Sequence, residues 1–368
     1  PHAMATGVLQ NASGPAGALQ NHSSGDIVQP LTAVSIFLIT NNESARDLCL
    51  VSVLLPAQFS DANSLYRENR DPARTMTANA RDITLTVLVE DSPPAASGLR
   101  SEHGLAVYIE ADGLRGLFDT GQGGALLSNA DRLGVPLQKL DWIALSHGHY
   151  DHTGGLRSVL SKAEAPRVVM HPAVLEGKHI READGTLRSA GPFFSRRDME
   201  AANADPVLDA EPVTLSAHVR LSGEIPRSTG FETIPSRFVT VTDTGAAARH
   251  DPFPDDQSLI LSTEGGIVVL CGCAHAGIVN IIRHVKILFP ARPLHAVLGG
   301  LHLGNASAGR IDRTVRALRA ANPALIGANH CTGAAATAAF KREFGDAFTP
   351  APAGTVFRFQ AANVNQSG

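Results

Sequence analysis

Trp142 to Leu156 reads WIALSHGHYDHTGGL, and no other stretch limits the possible folds as much. An apolar run, Trp142–Leu145, leads into His147, His149, Asp151 and His152 within six residues, and Gly154 and Gly155 follow. A short continuous apolar run reads as a buried strand. The histidines therefore stand where a strand gives way to a loop. Imidazoles and a carboxylate packed this tightly suit zinc, iron or manganese. A solvated polar loop would carry three histidines at alternating spacing only by accident. The stretch demands a fold in which a sheet ends at a metal.

The arrangement recurs. The apolar strand Gly266–Cys271 runs into Gly272-Cys273-Ala274-His275, Pro293–Leu298 enters Gly299-Gly300-Leu301-His302, and Ala324–Gly327 leads to Asn329-His330-Cys331-Thr332-Gly333. In layered α/β architectures, loops at one end of a sheet converge on one site. His275, His302 and His330 are thus candidate partners of the first loop. Phe118-Asp119-Thr120-Gly121 ends an earlier strand. Asp119 is either a turn former or a carboxylate that holds the second nitrogen of a ligand histidine, and the second reading is carried forward. His171, before Pro172, ends the strand Arg167–Met170 and reads as pocket wall or ligand.

Around these loops the pattern alternates strands and helices. Ile83, Leu85, Val87 and Val89 alternate as a strand, and Leu105–Ile109 with Gly113–Phe118 forms a hairpin. Helices are expected over Gly124–Leu133, Thr153–Leu160, Ile278–Phe289, Ile311–Ala320 and Ala335–Phe344, with Val213–Leu221 a hairpin and Thr355–Phe359 a closing strand. Ile180 to about Pro212 is polar and broken by Gly185, Gly191 and Pro192. It reads as an inserted lid, with Phe193 and Phe194 as apolar surface closing over a substrate. Glu224 and Arg227 lie in a compact turn; they are a surface ion pair, or Arg227 grips an anionic substrate group with its planar fork.

Residues 1–75 differ from the rest, being rich in Ala, Ser, Asn, Gln and Gly, with apolar runs only at Leu31–Ile39 and Leu48–Leu55. They are expected to form a flexible extension or a subunit-packing arm, with PHAM as a cloning remnant. The main domain spans 76–360 and a tail 361–368. Leu31–Thr40 has the length of an export signal, but no Lys or Arg precedes it, which weighs against that reading. With 368 residues and 43% hydrophobic content the chain can bury a large core. A net charge of −4 excludes the basic footprint of a nucleic-acid binder. No apolar run approaches the roughly 18 residues of a membrane span. Four cysteines, Cys49, Cys271, Cys273 and Cys331, are too few for a disulfide framework and favour a reducing, cytoplasmic setting.

The HxHxDH at His147, His149, Asp151 and His152, with Asp119-Thr120-Gly121 before it and Gly154-Gly155 after it, resembles the metallo-β-lactamase superfamily. GEIPR at Gly223–Arg227, GCAHAGIVNII at Gly272–Ile282, LGGLHL at Leu298–Leu303 and NHCTG at Asn329–Gly333 are most similar to its 7,8-dihydropterin-6-yl-methyl-4-(β-D-ribofuranosyl)aminobenzene 5′-phosphate synthase branch. The resemblance covers roughly Ile83 to Phe359. It implies an αββα four-layer sandwich with metals at one edge of the sheets. It implies His147 and His149 on one metal, and Asp151, His152 and His330 on the other. The chain departs from the commoner pattern in its middle motifs: it has no PGHTxG segment, and Gly272-Cys273 stands where many members place a bridging aspartate. His275 is the choice for the missing histidine. Cys273 either ligates in place of the carboxylate or is a small buried residue beside the metals, and His302 is a ligand or a pocket residue.

The function this implies is a metallo-hydrolase acting on a small molecule, phosphorylated and pterin-like or an ester or lactone. It would use hydroxide activated by two zinc ions, with iron or manganese as the other candidates. Asp151 would orient the hydroxide, and His302 or His171 would protonate the leaving group. Arg227, His171, Phe193 and Phe194 would line the substrate. A di-iron redox enzyme and a non-catalytic metal-dependent sensor are the competing classes. No nucleic acid or membrane partner is expected, and a homodimer is left open.

Overall fold

In the computed structural model the described residues are 82–241 and 247–363, with the backbone of two short paired strands, Ala33–Ser35 and Ser52–Leu54. The chain divides into two units, Pro1–Thr75 and Met76–Gly368. Apart from those two strands, the extension and the tail expected at 361–368 lie largely outside the described residues.

Among the described residues of the second unit, fourteen strands form its two large sheets. In chain order they are β1 (Asp82–Val89), β2 (Ala106–Ala111), β3 (Leu114–Phe118), β4 (Trp142–Ala144), β5 (Arg167–Met170), β6 (Asp205–Leu208), β7 (Thr214–Ser216), β8 (Val219–Leu221), β9 (Ser258–Thr263), β10 (Gly266–Cys271), β11 (Leu294–Gly300), β12 (Leu325–Asn329), β13 (Phe348–Pro350) and β14 (Val356–Gln360). One sheet has the order β6-β5-β4-β3-β2-β1-β14 and the other β7-β8-β9-β10-β11-β12-β13. The β2–β3 hairpin turns on Asp112 and Gly113, both at positive φ. That is the two-residue turn whose twist matches paired strands.

Alternation assigns the faces. Ile83, Leu85, Val107, Ile109 and Phe118 from the first sheet pack against Leu259, Leu261, Val268, Leu270 and Leu298 from the second, forming the inner core. The opposite faces are covered by helices. Leu117, Ile143, Val168 and Met170 meet Leu126, Leu156, Val159 and Met199 from helices Leu126–Arg132, Leu156–Leu160 and Arg196–Ala201. Val269, Val297 and Ile326 meet helices Ile278–Leu288, Ala308–Ala321 and Ala334–Phe344 through Ile281, Val285, Leu318 and Phe340. Each such aliphatic side chain contributes about 1.5–3 kcal/mol on burial, so these stripes decide the docking. The result is the four-layer αββα sandwich.

Two local expectations change. The second half of the segment read as a lid is part of the sandwich: β6 pairs parallel with β5, and helix Arg196–Ala201 buries Met199 on the sheet. Its capping box, Ser195 with Asp198, starts that helix. The helix expected over Thr153–Leu160 is two short pieces, Tyr150–Thr153 and Leu156–Leu160, divided at Gly154-Gly155. A small third sheet, Arg249–His250, Phe238–Val241, Gly177–Arg181 and Leu187–Ser189 in that order, was not legible in the pattern. No helix among the described residues is long and apolar enough to cross a membrane.

Candidate metal centre

β4 lies between β3 and β5 in parallel register, buried on both faces, which is why Trp142–Leu145 is apolar throughout. Its end is pinned from β3. The Ser146 N–H donates to Asp119 Oδ1 at 2.7 Å, and the Thr120 N–H donates to the His152 carbonyl at 2.7 Å. Asp119 itself takes a left-handed φ of 59° to reach this position. His149 occupies the position before helix Tyr150–Thr153, so Asp151 and His152 project from its single turn. Gly148, between the first two histidines, donates its N–H to Asp255 Oδ2 at 2.8 Å.

Two groups of donor atoms adjoin at this strand end. In the first, His147, His149 and His275 each bring one donor atom within 4.8 Å of the others. His147 Nε2 and His149 Nδ1 lie 3.2 Å apart. His275 Nε2 is buried and has no hydrogen-bond partner. In the second group stand Asp151, His152, Cys273 and His330. His152 Nε2 is 3.2 Å from Cys273 Sγ and 3.1 Å from His330 Nε2, and Cys273 Sγ is 3.3 Å from His330 Nε2. Asp151 Oδ2 is 3.5 Å from each of the two Nε2 atoms. Imidazole nitrogens, a thiol and a carboxylate set this close are the donor types that hold zinc. The residues fit a metal ion in both groups.

The electrostatics agree with ligation. Burial, together with the neighbouring imidazoles, holds His147 and His275 well below their usual pKa, and burial brings His149 down to about 3. These rings are therefore neutral, the form that binds metal. Burial works to raise the Asp151 carboxyl, but His152 and His330 prevail and hold it well below the usual range.

Around the donors lies a set of orienting contacts. Asp119 Oδ2 accepts from His152 Nδ1 and from Ser146 Oγ, both at 2.7 Å, and His147 Nδ1 lies 2.8 Å from the same Ser146 hydroxyl. One carboxylate thereby turns the Nε2 atoms of two histidines inward. Asp91 does the same for His330, accepting from its Nδ1 at 2.6 Å through Oδ1 and from His103 Nδ1 at 2.8 Å through Oδ2. His103 Nε2 lies 3.3 Å from Asp151 Oδ2, and its side chain is 52% exposed, so one face of the centre meets solvent through this ring. Phe253 stacks on His275 with centroids 4.0 Å apart, and Phe238 lies 5.6 Å from His149. Buried Lys178 donates to Asp251 at 3.0 Å and Asp255 at 2.8 Å, and Asp255 in turn holds Gly148.

The other expected site residues each have contacts of their own. The Arg227 guanidinium donates to the backbone carbonyls of His275, Pro252 and Phe253. It buckles two loops of the centre together. His171 accepts from the Ala173 N–H and caps a turn, outside every metal-competent group of the described residues. Phe194 is 8% exposed in the outer core, while Phe193 is 62% exposed, with its ring 6.5 Å from Tyr150. His302 stands beside Cys273 and Cys331, its ring 4.2 Å from that of His275, with Nδ1 buried and unpartnered. Asp91, His103, Lys178, Asp251 and Asp255 also serve the centre, and none of them stands in a motif that the sequence displays. Asp91 and His103 flank a Pro-rich loop with no periodic signal, and Lys178 lies just before the segment expected to form a lid.

The sequence profile of the Metallo-beta-lactamase superfamily matches residues 100–317, and the chain belongs to that superfamily. Over 287 residues it is 30% identical to a Methanocaldococcus jannaschii protein named 7,8-dihydropterin-6-methyl-4-(beta-D-ribofuranosyl)-aminobenzene-5'-phosphate synthase, covering 76% of this chain and 97% of that one. It is 31% identical over 239 residues to MJ0448 of the same organism, covering 63% and 85%. Among solved structures, Tm1679, described as a metal-dependent hydrolase of the beta-lactamase superfamily, matches with a TM-score of 0.65 at 29% identity, over 76% of this chain and 100% of its own.

Proposed function

We propose that this chain is a metal-dependent hydrolase whose two adjoining donor groups hold zinc and whose substrate is a small phosphorylated, pterin-like molecule or an ester or lactone of similar size. The observation that carries this reading is His275 Nε2, buried, unpartnered and grouped with His147 and His149 beside the four-donor group of Asp151, His152, Cys273 and His330. Zinc in these groups supplies a water with its pKa lowered towards about 7 and positive charge for the electrophile.

The chain's own residues supply the rest. Asp151 lies between the metal donors and His103 and orients the attacking water through its second oxygen. His103, half exposed and held by Asp91, is better placed than His302 or His171 to pass a proton to the leaving group. Tyr150 and Phe193 extend from His103 as an aromatic rim against which a flat ring system stacks. Arg227 secures the His275 loop, so an anionic group on the substrate must be read by another cation. Arg237, exposed and lying over Phe238, takes that role. The substrate class rests on the M. jannaschii relative, whose name joins a dihydropterin, a ribofuranosyl-aminobenzene and a 5′-phosphate. The same name gives a second reading its one observation: that protein is a synthase, so the centre can serve bond formation with a second substrate in place of water.

The test is metal analysis of protein prepared without added metal, followed by a panel of chromogenic phosphoesters, esters and lactones with the zinc-loaded protein. Two zinc ions per chain and turnover of at least one class are expected. Stoichiometric iron with visible absorption would move the chain to the redox class, and zinc-loaded protein inert on the whole panel would leave the synthase or the sensor.

A further inference from the structure

The four-donor group has a second thiol beside it. β10, β11 and β12 run parallel side by side, and their loops carry Cys273, His302 and Cys331. The outer two loops can meet only if the middle strand leaves room. It does, because β11 ends in Gly300: a Cβ there would lie 2.8 Å from Cys331 Sγ and 2.4 Å from the Gly272 carbonyl oxygen. The donor atoms of Cys273, His302 and Cys331 consequently lie within 4.8 Å of one another. Cys331 Sγ accepts from the His302 N–H at 3.2 Å and donates to the Cys273 carbonyl at 3.6 Å. Cys273 is buried, whereas Cys331 is only partly so.

We propose that Cys331 and Cys273 form a peroxide-reactive pair that closes to a disulfide and withdraws Cys273 from the four-donor group. This deepens the metal reading above, because it places one proposed ligand under redox control. Cys331, the more accessible sulfur, attacks the O–O bond of a hydroperoxide and becomes a sulfenic acid as water or an alcohol leaves. Cys273 then displaces hydroxide from that sulfur, which leaves as a second water. Each thiol gives up one electron and one proton, and the peroxide takes up two of each. Rotation about the two Cα–Cβ bonds must bring the sulfurs to the 2.03–2.05 Å bond length that disulfides share. A sulfur in that bond is no longer a thiolate and cannot ligate. Zinc bound at Cys273 should therefore protect the pair, and oxidation should release zinc.

The experiment treats the full-length protein, metal-free and zinc-loaded, with hydrogen peroxide, then maps unreduced peptides by mass spectrometry and measures retained zinc. A Cys273–Cys331 cross-link is expected in the metal-free protein, slower to form by tenfold or more when zinc is present, and reversed by dithiothreitol. The cross-linked protein should rebind one zinc fewer than the reduced protein. Cys331→Ser should form no cross-link and keep its zinc under peroxide. Cys331 recovered as sulfinic acid without a cross-link would overturn the proposal, as would unchanged zinc binding after cross-linking. The cross-link is read without substrate, so failure here leaves the hydrolase reading untouched, and an inert substrate panel leaves this one untouched.

Discussion

Asp119 shows what a single carboxylate does at this centre. It is fully buried, adopts a left-handed backbone conformation, and accepts from Ser146 twice and His152 once. Asp119→Asn keeps the shape but replaces one acceptor oxygen with a donor that faces donors. Contacts to ligand histidines of this kind are worth about 10–100-fold in metal affinity, and zinc competition against a chromogenic chelator should show a loss of that size with the far-UV spectrum unchanged. His103 is the second residue whose role can be read. The hydrogen bond that His103 donates to Asp91 raises its pKa above the usual 6.5, against the opposing effect of burial. A raised imidazole stays protonated to higher pH, so a proton donor here keeps turnover up until the pH passes a value above 6.5 and loses it beyond. His103→Gln should remove that alkaline limb and lower kcat by about 10²–10⁴-fold. An unaltered pH profile would exclude His103 as the donor.

At the scale of elements, the ligand loop depends on supports contributed by distant segments. Lys178 on Gly177–Arg181, in the small third sheet, reaches Asp251 and Asp255, and Asp255 holds Gly148 in the loop. All three side chains are at most 1% exposed. Replacing one partner of a buried ion cluster leaves uncompensated charge, at a cost of about 3–5 kcal/mol. Lys178→Met should lower the free energy of urea unfolding by that amount and loosen zinc binding at the His147–His149 group. Loss of stability with zinc affinity intact would show that the network serves the fold alone. Helix Ile278–Leu288 is secured in the same way. Its first turn is satisfied by Glu232, which accepts from the N–H groups of Val279 and Asn280 at 2.9 Å each. That holds the helix start directly after the His275 loop.

At the scale of the whole molecule, the sandwich is closed by an inner layer and two outer layers of mainly aliphatic contacts between strands and helices. Removal of zinc with a chelator should leave the chain folded at 25 °C and lower its melting temperature. Ligand at a hundredfold excess over its dissociation constant stabilises by about 2.7 kcal/mol per site, so readdition should restore the transition in a concentration-dependent manner. Scanning calorimetry would check this, and a melting temperature indifferent to zinc would remove the metal reading.

The local pattern marks strands, helices and the metal motif, and it is the resemblance carried by HxHxDH and its flanking segments that implies the superfamily and the layering. Apolar runs mark buried parallel strands, alternation marks the hairpins, and HxHxDH is a motif contained in six residues. Local chemistry also marks the ends of β10, β11 and β12 as places where histidine stands. What lay beyond the pattern are contacts between residues far apart in the chain. Asp91 meets His330 across 239 positions and Lys178 meets Asp255 across 77. The sequence leaves Arg227 as half of a surface ion pair or as an anion grip, and says nothing of the carbonyls 25, 26 and 48 residues away that folding sets within reach of its donors. Phe193 and Phe194 are adjacent and equally apolar, yet one is exposed and the other buried, a choice made by which side of the chain the outer core covers. The sequence by itself therefore determined the family and the strand-end histidines at which a metal centre can form. Only the tertiary structure decided which side chains serve it, because hydrogen bonds and burial are made between surfaces that are neighbours in space and strangers in sequence.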